Sequence, residues 1–209
     1  MKKLVFAALA AVMSGVLLAD PVRAITPVPQ SQDPNNWWMK RFNEKQELVK
    51  KGGSEVVFIG DSITHFLENS EVWKTYLAKA PYNALNLGFS ADRTEHVLWR
   101  LDHGELDGFQ AKVIVLMIGT NNTGHFDRKD ETPVDTIIGI NEVIRKIRQK
   151  QPKAKIVLHP IFPRGEKATD EKRVRNEVVN NAIRQLADNQ TIFLCDFNDF
   201  LTEPDGTLS

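Results

Sequence analysis

Short apolar runs alternate along this chain with longer segments in which apolar residues return every three or four positions. A continuous short run rich in valine and isoleucine is typical of a strand that is buried on both faces of a sheet. Strands are therefore predicted at residues 56–59, 83–88, 113–118, 156–158 and 191–195.

The longer segments between these runs have helical periodicity. In the clearest of them, which begins at Pro133, the residues Ile137, Ile140, Ile144 and Ile147 form one apolar stripe. The other predicted helices comprise residues 35–51, 70–80, 93–101 and 174–187. Strands that alternate with helices indicate a parallel sheet with right-handed crossovers and helices on both faces. The predicted fold is a three-layer α/β/α sandwich around a five-stranded parallel sheet.

The composition is that of an ordinary globular protein. Of the 209 residues, 42% are hydrophobic and 26% are charged, which suits one domain with a substantial core. The formal net charge is zero, so the sequence indicates no basic surface for nucleic acid or an anionic membrane. The single cysteine, Cys195, excludes an internal disulfide, and we expect a small buried side chain rather than a nucleophile.

The first residues have the pattern of a secretory signal peptide. Lys2 and Lys3 precede an apolar run over residues 4–19, and the small residues before position 25 suit cleavage after Ala24. The alternatives are cleavage after Ala19 and an uncleaved membrane anchor, although the run is short for a membrane span.

This pattern divides the chain into three parts. Residues 1–24 are the predicted signal peptide, residues 25–34 an exposed leader that contains prolines, and residues 35–209 the α/β domain. A cleaved signal peptide predicts a secreted or periplasmic protein that has no membrane span after cleavage.

The first predicted strand ends in Gly60-Asp61-Ser62. Open parallel sheets bind their ligands beyond the carboxyl ends of the strands, which is where a serine that follows such a strand lies. The N–H groups at the start of the next helix are free to contact whatever that serine attacks. Ser62 is therefore a candidate nucleophile with its own N–H as an oxyanion donor, although a serine here can also simply cap the helix.

Two further strand ends are expected beside Ser62, because the carboxyl ends of neighbouring parallel strands meet at one edge of the sheet. The second predicted strand stops at Gly88, and the third ends at Asn121. An acyl-transfer site needs hydrogen-bond donors directed at the developing oxyanion. The Gly88 N–H and the Asn121 side-chain amide, together with the Ser62 N–H, form the predicted oxyanion hole.

At these positions the sequence resembles the SGNH hydrolases, also called GDSL esterases and lipases. The resemblance rests on three blocks in order, each at a predicted strand end: Gly60-Asp61-Ser62, Gly88 and Gly119-Thr120-Asn121-Asn122. Two further stretches are most similar to the platelet-activating-factor acetylhydrolase-like members of this family: residues 58–64 and Pro163-Arg164-Gly165-Glu166.

The resemblance implies a flavodoxin-like SGNH fold and a serine esterase that removes a small acyl group, such as acetyl, from a carbohydrate or lipid. It implies an acyl-enzyme on Ser62 and neither cofactor nor metal. The sequence has no metal-binding histidine spacing and no phosphate-binding or dinucleotide-binding glycine motif. Two alternatives stay open. One is a catalytically inactive module that binds an acylated glycan, and the other is a longer-chain lipase, although no long apolar lid loop occurs.

The general base of this family is a histidine in an Asp-x-x-His block after the fifth strand, and residues 196–209 contain no histidine. We expect these 209 residues to be a piece of a longer chain that carries this block and a final helix. This form should then have little esterase activity and expose an apolar strip. His125 and His159 follow predicted strands and are possible substitute bases, unlike the histidines on or after helices: His65, His96 and His103.

Overall fold

The computed structural model describes residues 22–124 and 131–209 of the chain. Most of the predicted signal peptide (residues 1–21) and the candidate base His125 lie outside these described residues. Within the described ranges, no helix is both long enough and apolar enough to cross a membrane.

The predicted strands form one parallel sheet, which confirms the α/β fold class. In chain order the strands are β1 (Val56–Gly60), β2 (Leu85–Gly88), β3 (Val113–Met117), β4 (Lys155–Leu158) and β5 (Ile192–Leu194). Their order across the sheet is β2-β1-β3-β4-β5, so the direction of winding reverses between β1 and β3. Ligands of open α/β sheets bind at such a switch point. Gly60 pairs with Gly88 on one side and with Met117 on the other, which brings the three predicted strand ends side by side.

The helices of the described chain follow the apolar periodicity of the sequence. They are α1 (Trp37–Lys51), α2 (Ser62–Leu67), α3 (Thr94–Asp102), α4 (Pro133–Lys150) and α5 (Glu171–Ile183). Helix α4 begins with a capping box, in which Thr132 and Asp135 satisfy each other's backbone N–H groups. The segment predicted as a helix over residues 70–80 contains a π-helical turn, Trp73–Leu77.

One face of the sheet is buried under α3, α4 and α5. Alternate strand residues point to this face, as the two-residue period of a strand requires. Those from the three central strands are Val57, Ile59, Ile114, Leu116, Ile156 and Leu158, each at most 1% exposed. Of the predicted isoleucine stripe on α4, Ile140, Ile144 and Ile147 are buried in the same core and Ile137 is partly buried. Burial of each such side chain stabilises the folded state by about 1.5–3 kcal/mol, because its apolar surface is removed from water.

The opposite face carries α2 but is otherwise covered only in part, in line with the expected exposed apolar strip. Helix α2 covers β1 and β2, and the Trp73 ring packs edge-on against Phe58 with 5.3 Å between ring centroids. Across β3, β4 and β5 the apolar side chains on this face are only partly buried or exposed: Val113, Val115, Val157 and Phe193. The reason is the winding, because α3, α4 and α5 all belong to right-handed crossovers in one direction and therefore lie on one face.

Two small side chains also lie differently from the sequence-based expectation. Cys195, expected to be buried, is exposed because it follows β5 at the edge of the sheet. Ala24, the last residue of the predicted signal peptide, is fully buried, and its carbonyl accepts a hydrogen bond from Thr94 Oγ1 at 2.8 Å. The short turn Arg23–Ile25 thus packs on α3 and α4, whereas residues 25–34 are exposed or half-exposed.

Helix α2 packs on the strand ends at two glycines. A Cβ atom at Gly60 would collide with the side chain of Thr64, at 2.9 Å from its Cβ. A Cβ atom at Gly88 would collide with the backbone of Thr64 and His65, at 2.6 Å from the Thr64 carbonyl carbon. Backbone atoms cannot turn aside as the end of a flexible side chain can, so the close approach of α2 requires glycine at position 88.

Gly88→Ala is expected to destabilise the protein by about 3 kcal/mol, because the added methyl group forces α2 away from β2. The matched control is Gly53→Ala, where the new Cβ meets nothing within 4 Å and only the positive φ of 83° is unfavourable. That strain costs about 1 kcal/mol. Urea denaturation gives both free energies of unfolding, and equal losses would show that the approach of α2 does not depend on the missing side chain.

Candidate active site

Ser62 is the first residue of α2, and Asp61 separates it from the end of β1. Asp61 Oδ1 accepts the Ile63 N–H at 3.0 Å, so the capping role that the sequence left open belongs to Asp61. The half-buried Ser62 hydroxyl has no hydrogen-bond partner among the described residues. Burial raises the pKa of the Asp61 carboxyl to about 6. This carboxyl belongs to the residue that precedes the candidate nucleophile in the chain.

Gly88 lies beside Gly60 at the end of β2, and its N–H already has an acceptor. It donates to Asn86 Oδ1 at 2.8 Å, while Asn86 Nδ2 donates to the Thr64 carbonyl at 2.6 Å. The buried Asn86 thus joins the end of β2 to α2. To act as the predicted oxyanion donor, the Gly88 N–H would have to break its hydrogen bond to Asn86 and form one to the substrate oxygen.

The loop after β2 brings Ala91 into the site. Ala91 has a φ of 61°, in the left-handed region that residues with a side chain rarely adopt. Within the described chain its N–H has no hydrogen-bond acceptor, and the residue lines the same cavity as Ser62. Ala91 therefore offers a free N–H donor next to the candidate nucleophile.

A buried carboxylate fixes this loop. Asp92 accepts hydrogen bonds from Trp38 Nε1 of α1 at 2.7 Å and from Arg100 Nε of α3 at 2.9 Å. Arg100 also pairs with Glu105, and all three charged side chains are fully buried. Burial raises the pKa of the Asp92 carboxyl to about 7, although the Arg100 guanidinium opposes this shift. The loop that carries Ala91 is thereby tied to two helices.

Asn121 follows β3 and is 6% exposed. Its Nδ2 donates to the Asp92 carbonyl at 2.8 Å, and its own carbonyl accepts from Arg93 Nε at 3.2 Å. An amide nitrogen carries two hydrogens, so one remains for a ligand. Asn121 and the loop of Ala91 and Asp92 are thus held as one unit.

A cavity of about 470 Å³ opens at these strand ends, a volume typical of small-molecule sites. Ser62, Ala91 and Asn121 all line it, which brings two of the predicted site residues together with Ala91; Gly88 is not in the lining. A second, apolar cavity of about 280 Å³ shares Ile63 and Phe162 with the first.

No imidazole in residues 22–124 or 131–209 hydrogen-bonds Ser62. His65 Nδ1 instead lies 3.0 Å from Ser90 Oγ, and burial lowers the pKa of its imidazole. His159 lines the second cavity, and its Nδ1 is buried without a hydrogen-bond partner among the described residues. Burial lowers the pKa of its imidazole, and Asp196 and the backbone of Cys195 oppose this shift. The general base that Ser62 needs is therefore not among these side chains as placed. In the same part of the chain, no cluster of three His, Cys, Asp or Glu residues is arranged to hold a metal ion.

The sequence analysis did not identify Asn86 or Ala91 as site residues. Asn86 carried a usable signal, since a fully buried amide within an apolar strand must have hydrogen-bond partners. Ala91 carried none, because alanine does not mark a left-handed backbone as glycine does.

Residues 58–209 match the sequence model of the GDSL-like Lipase/Acylhydrolase family. The chain is 34% identical over 191 residues to Platelet-activating factor acetylhydrolase IB subunit alpha1 of Homo sapiens, which covers 91% of this chain and 78% of that protein. It is also 34% identical over 186 residues to the alpha2 subunit of Gallus gallus, which covers 87% of this chain and 77% of that protein.

Among solved structures, a carbohydrate acetylesterase from Sinorhizobium meliloti superposes with a TM-score of 0.55 at 16% identity, over 74% of this chain and 88% of that one. This likeness shows a common fold. The family match over most of the chain and the identity to the acetylhydrolase subunits establish that the chain belongs to the GDSL-like lipase/acylhydrolase family and is an ester hydrolase.

Proposed function

We propose that the protein is a serine esterase that removes a small, acetyl-like acyl group from a carbohydrate or lipid ester through an acyl-enzyme on Ser62. The observation that carries the proposal is that Ser62, Ala91 and Asn121 line one cavity at the switch point of the sheet. The two relatives named above are acetylhydrolase subunits, which supports an acetyl-like acyl group.

In the proposed reaction, Ser62 Oγ attacks the acyl carbonyl carbon and the electron pair of the carbonyl moves onto its oxygen. The Ser62 N–H, the Ala91 N–H and the free hydrogen of Asn121 Nδ2 stabilise this oxyanion. Collapse of the intermediate expels the alcohol and leaves the acyl group on Ser62, and water then releases it as the acid. Ala91 takes the place that the sequence analysis gave to Gly88, whose N–H is bonded to Asn86.

Among the described residues, no side chain is placed to remove the proton of Ser62. A serine hydroxyl is a weak nucleophile without a base at about 2.6–3.2 Å, and no described imidazole hydrogen-bonds it. Oxyanion donors and binding alone sustain roughly 10³–10⁴-fold catalysis over water. The family match and the identity to the acetylhydrolase subunits support an ester hydrolase over the alternative, a module that binds an acylated glycan without turnover.

Imidazole added to the buffer tests the nucleophile and the base together. The unmodified protein should hydrolyse p-nitrophenyl acetate slowly, and imidazole should accelerate it by accepting the Ser62 proton. Ser62→Ala is the matched control, in which only the direct reaction of imidazole with the ester remains. Equal imidazole-dependent rates in both proteins would exclude Ser62 as the nucleophile. Fast turnover without imidazole that is lost in His125→Ala or His159→Ala would show that the chain supplies its own base.

Asn121→Ala is expected to lower kcat by roughly 10²–10³ with little change in KM, because its amide acts mainly on the transition state. Asn141→Ala on the exposed side of α4 is the control and should leave both constants unchanged. Steady-state kinetics with imidazole present would measure both variants. An effect confined to KM would instead make Asn121 a residue that binds the substrate ground state.

A lipase for longer acyl chains is the remaining candidate, and the apolar cavity of about 280 Å³ next to the site favours it. Its lining includes Phe58, Val115 and Phe197, which suit an alkyl chain. Relative kcat/KM values for p-nitrophenyl acetate and octanoate separate the two functions, and a preference for acetate supports the small-acyl esterase.

We also propose that the protein is exported to the periplasm or the medium. The basic start and the apolar run over residues 4–19 support a signal peptide. The burial of Ala24 against α3 and α4 supports cleavage after Ala19, because cleavage after Ala24 would remove a buried residue. N-terminal sequencing of the exported protein should therefore begin at Asp20. A start at Ile25 would favour the later cleavage site, and a retained Met1 on a membrane-bound product would contradict export.

A further inference from the structure

The cavity beside Ser62 has a single charged side chain among the lining residues that the structure describes. That side chain is Arg164, and the polar residues around it are neutral, among them Ser90, Thr120 and Asn121. A cation among neutral lining residues attracts an anionic group of a ligand, because part of the screening by water is lost in a cavity.

Arg164 has no carboxylate partner in the described chain. Its Nη1 donates to the Thr120 carbonyl at 2.8 Å, and its other N–H donors have no acceptor among the described residues. The carboxylate that influences it most is Asp61, which is buried, bonded to the Ile63 N–H and not within ion-pair distance of Arg164. Some arginines on other elements do pair with acidic side chains: Arg41 with Glu68, Arg145 with Glu142 and Arg184 with Asp196.

The backbone that carries Arg164 is fixed by a second arginine. Arg173 of α5 is 5% exposed, and it donates from Nε to the Arg164 carbonyl at 3.3 Å and from Nη2 to the Gly165 carbonyl at 2.7 Å. A further bond joins it to the Gly206 carbonyl at 3.1 Å. Arg164 is thus positioned before any ligand arrives, which lowers the entropic cost of using it for recognition.

We propose that Arg164 is a specificity-determining residue that selects esters whose alcohol portion carries a carboxylate or phosphate group. The proposal rests on the ester hydrolysis proposed above, in which Ser62 engages the acyl group. At about 470 Å³ the cavity far exceeds an acetyl group, so the alcohol portion shares it with Arg164. A planar guanidinium matches carboxylate and phosphate with two parallel hydrogen bonds.

The test compares three acetyl esters of phenols that carry hydrogen, a carboxylate or a phosphate group at the para position: phenyl acetate, 4-acetoxybenzoate and 4-acetoxyphenyl phosphate. Arg164→Gln should lower kcat/KM for one or both anionic esters by roughly 10- to 100-fold, and for phenyl acetate by less than about threefold. Arg164→Lys should recover part of the loss, since lysine keeps the positive charge but cannot make the two parallel hydrogen bonds of a planar guanidinium. Arg145→Gln, an exposed arginine on α4, is the control and should leave all three values unchanged. Imidazole is present throughout.

An equal loss on all three esters would overturn the proposal, because it would mean that Arg164 acts only by holding the Thr120 carbonyl. Unchanged values for both anionic esters would overturn it as well. If the unmodified protein hydrolyses none of the esters, the proposed function fails. The role of Arg164 in anion recognition is then tested by a binding measurement. Isothermal titration of 4-hydroxybenzoate into the unmodified protein and Arg164→Gln then supports the proposal if the variant binds at least tenfold more weakly, and overturns it if the two bind equally.

Discussion

Helix α2 can begin directly at the ends of β1 and β2 only because Gly60 and Gly88 have no side chains. At both positions a Cβ atom would occupy space that Thr64 already fills. Asn86 completes the contact, because it joins the Thr64 carbonyl to the Gly88 N–H. This packing places the Ser62 hydroxyl at the edge where the three strand ends meet. The rest of the site is built around that position.

The other side of the site is organised by a buried charge. The Asp92 carboxylate is held by α1 and α3 through Trp38 and Arg100, while its backbone carbonyl holds the amide of Asn121. Burying a carboxylate is costly, and here hydrogen bonds and the guanidinium offset the cost. Such a network contributes little net stability, but each partner leaves an unpaired buried group when removed. It therefore fixes one geometry of the loop that carries Ala91.

The sequence by itself determined the strands, most of the helices and the positions of Ser62 and Asn121 at strand ends. These features depend on periodicity and on residues that are close in the chain, such as the apolar run that stops at Gly60. Parallel pairing followed from the alternation of strands and helices, and the convergence of the strand ends followed from parallel pairing. The family resemblance rested on the same strand-end residues, and the family match confirmed it.

Only the tertiary structure decided which groups are free to act. The Gly88 N–H is bonded to Asn86, whereas the Ala91 N–H has no acceptor among the described residues. Arg164 reaches the cavity through a bond to Thr120, 44 positions away along the chain. The partial cover of the second sheet face likewise follows from the order of the strands in space. Each of these outcomes depends on contacts between segments that are distant in sequence. Local patterns of polar and apolar residues do not predict such contacts.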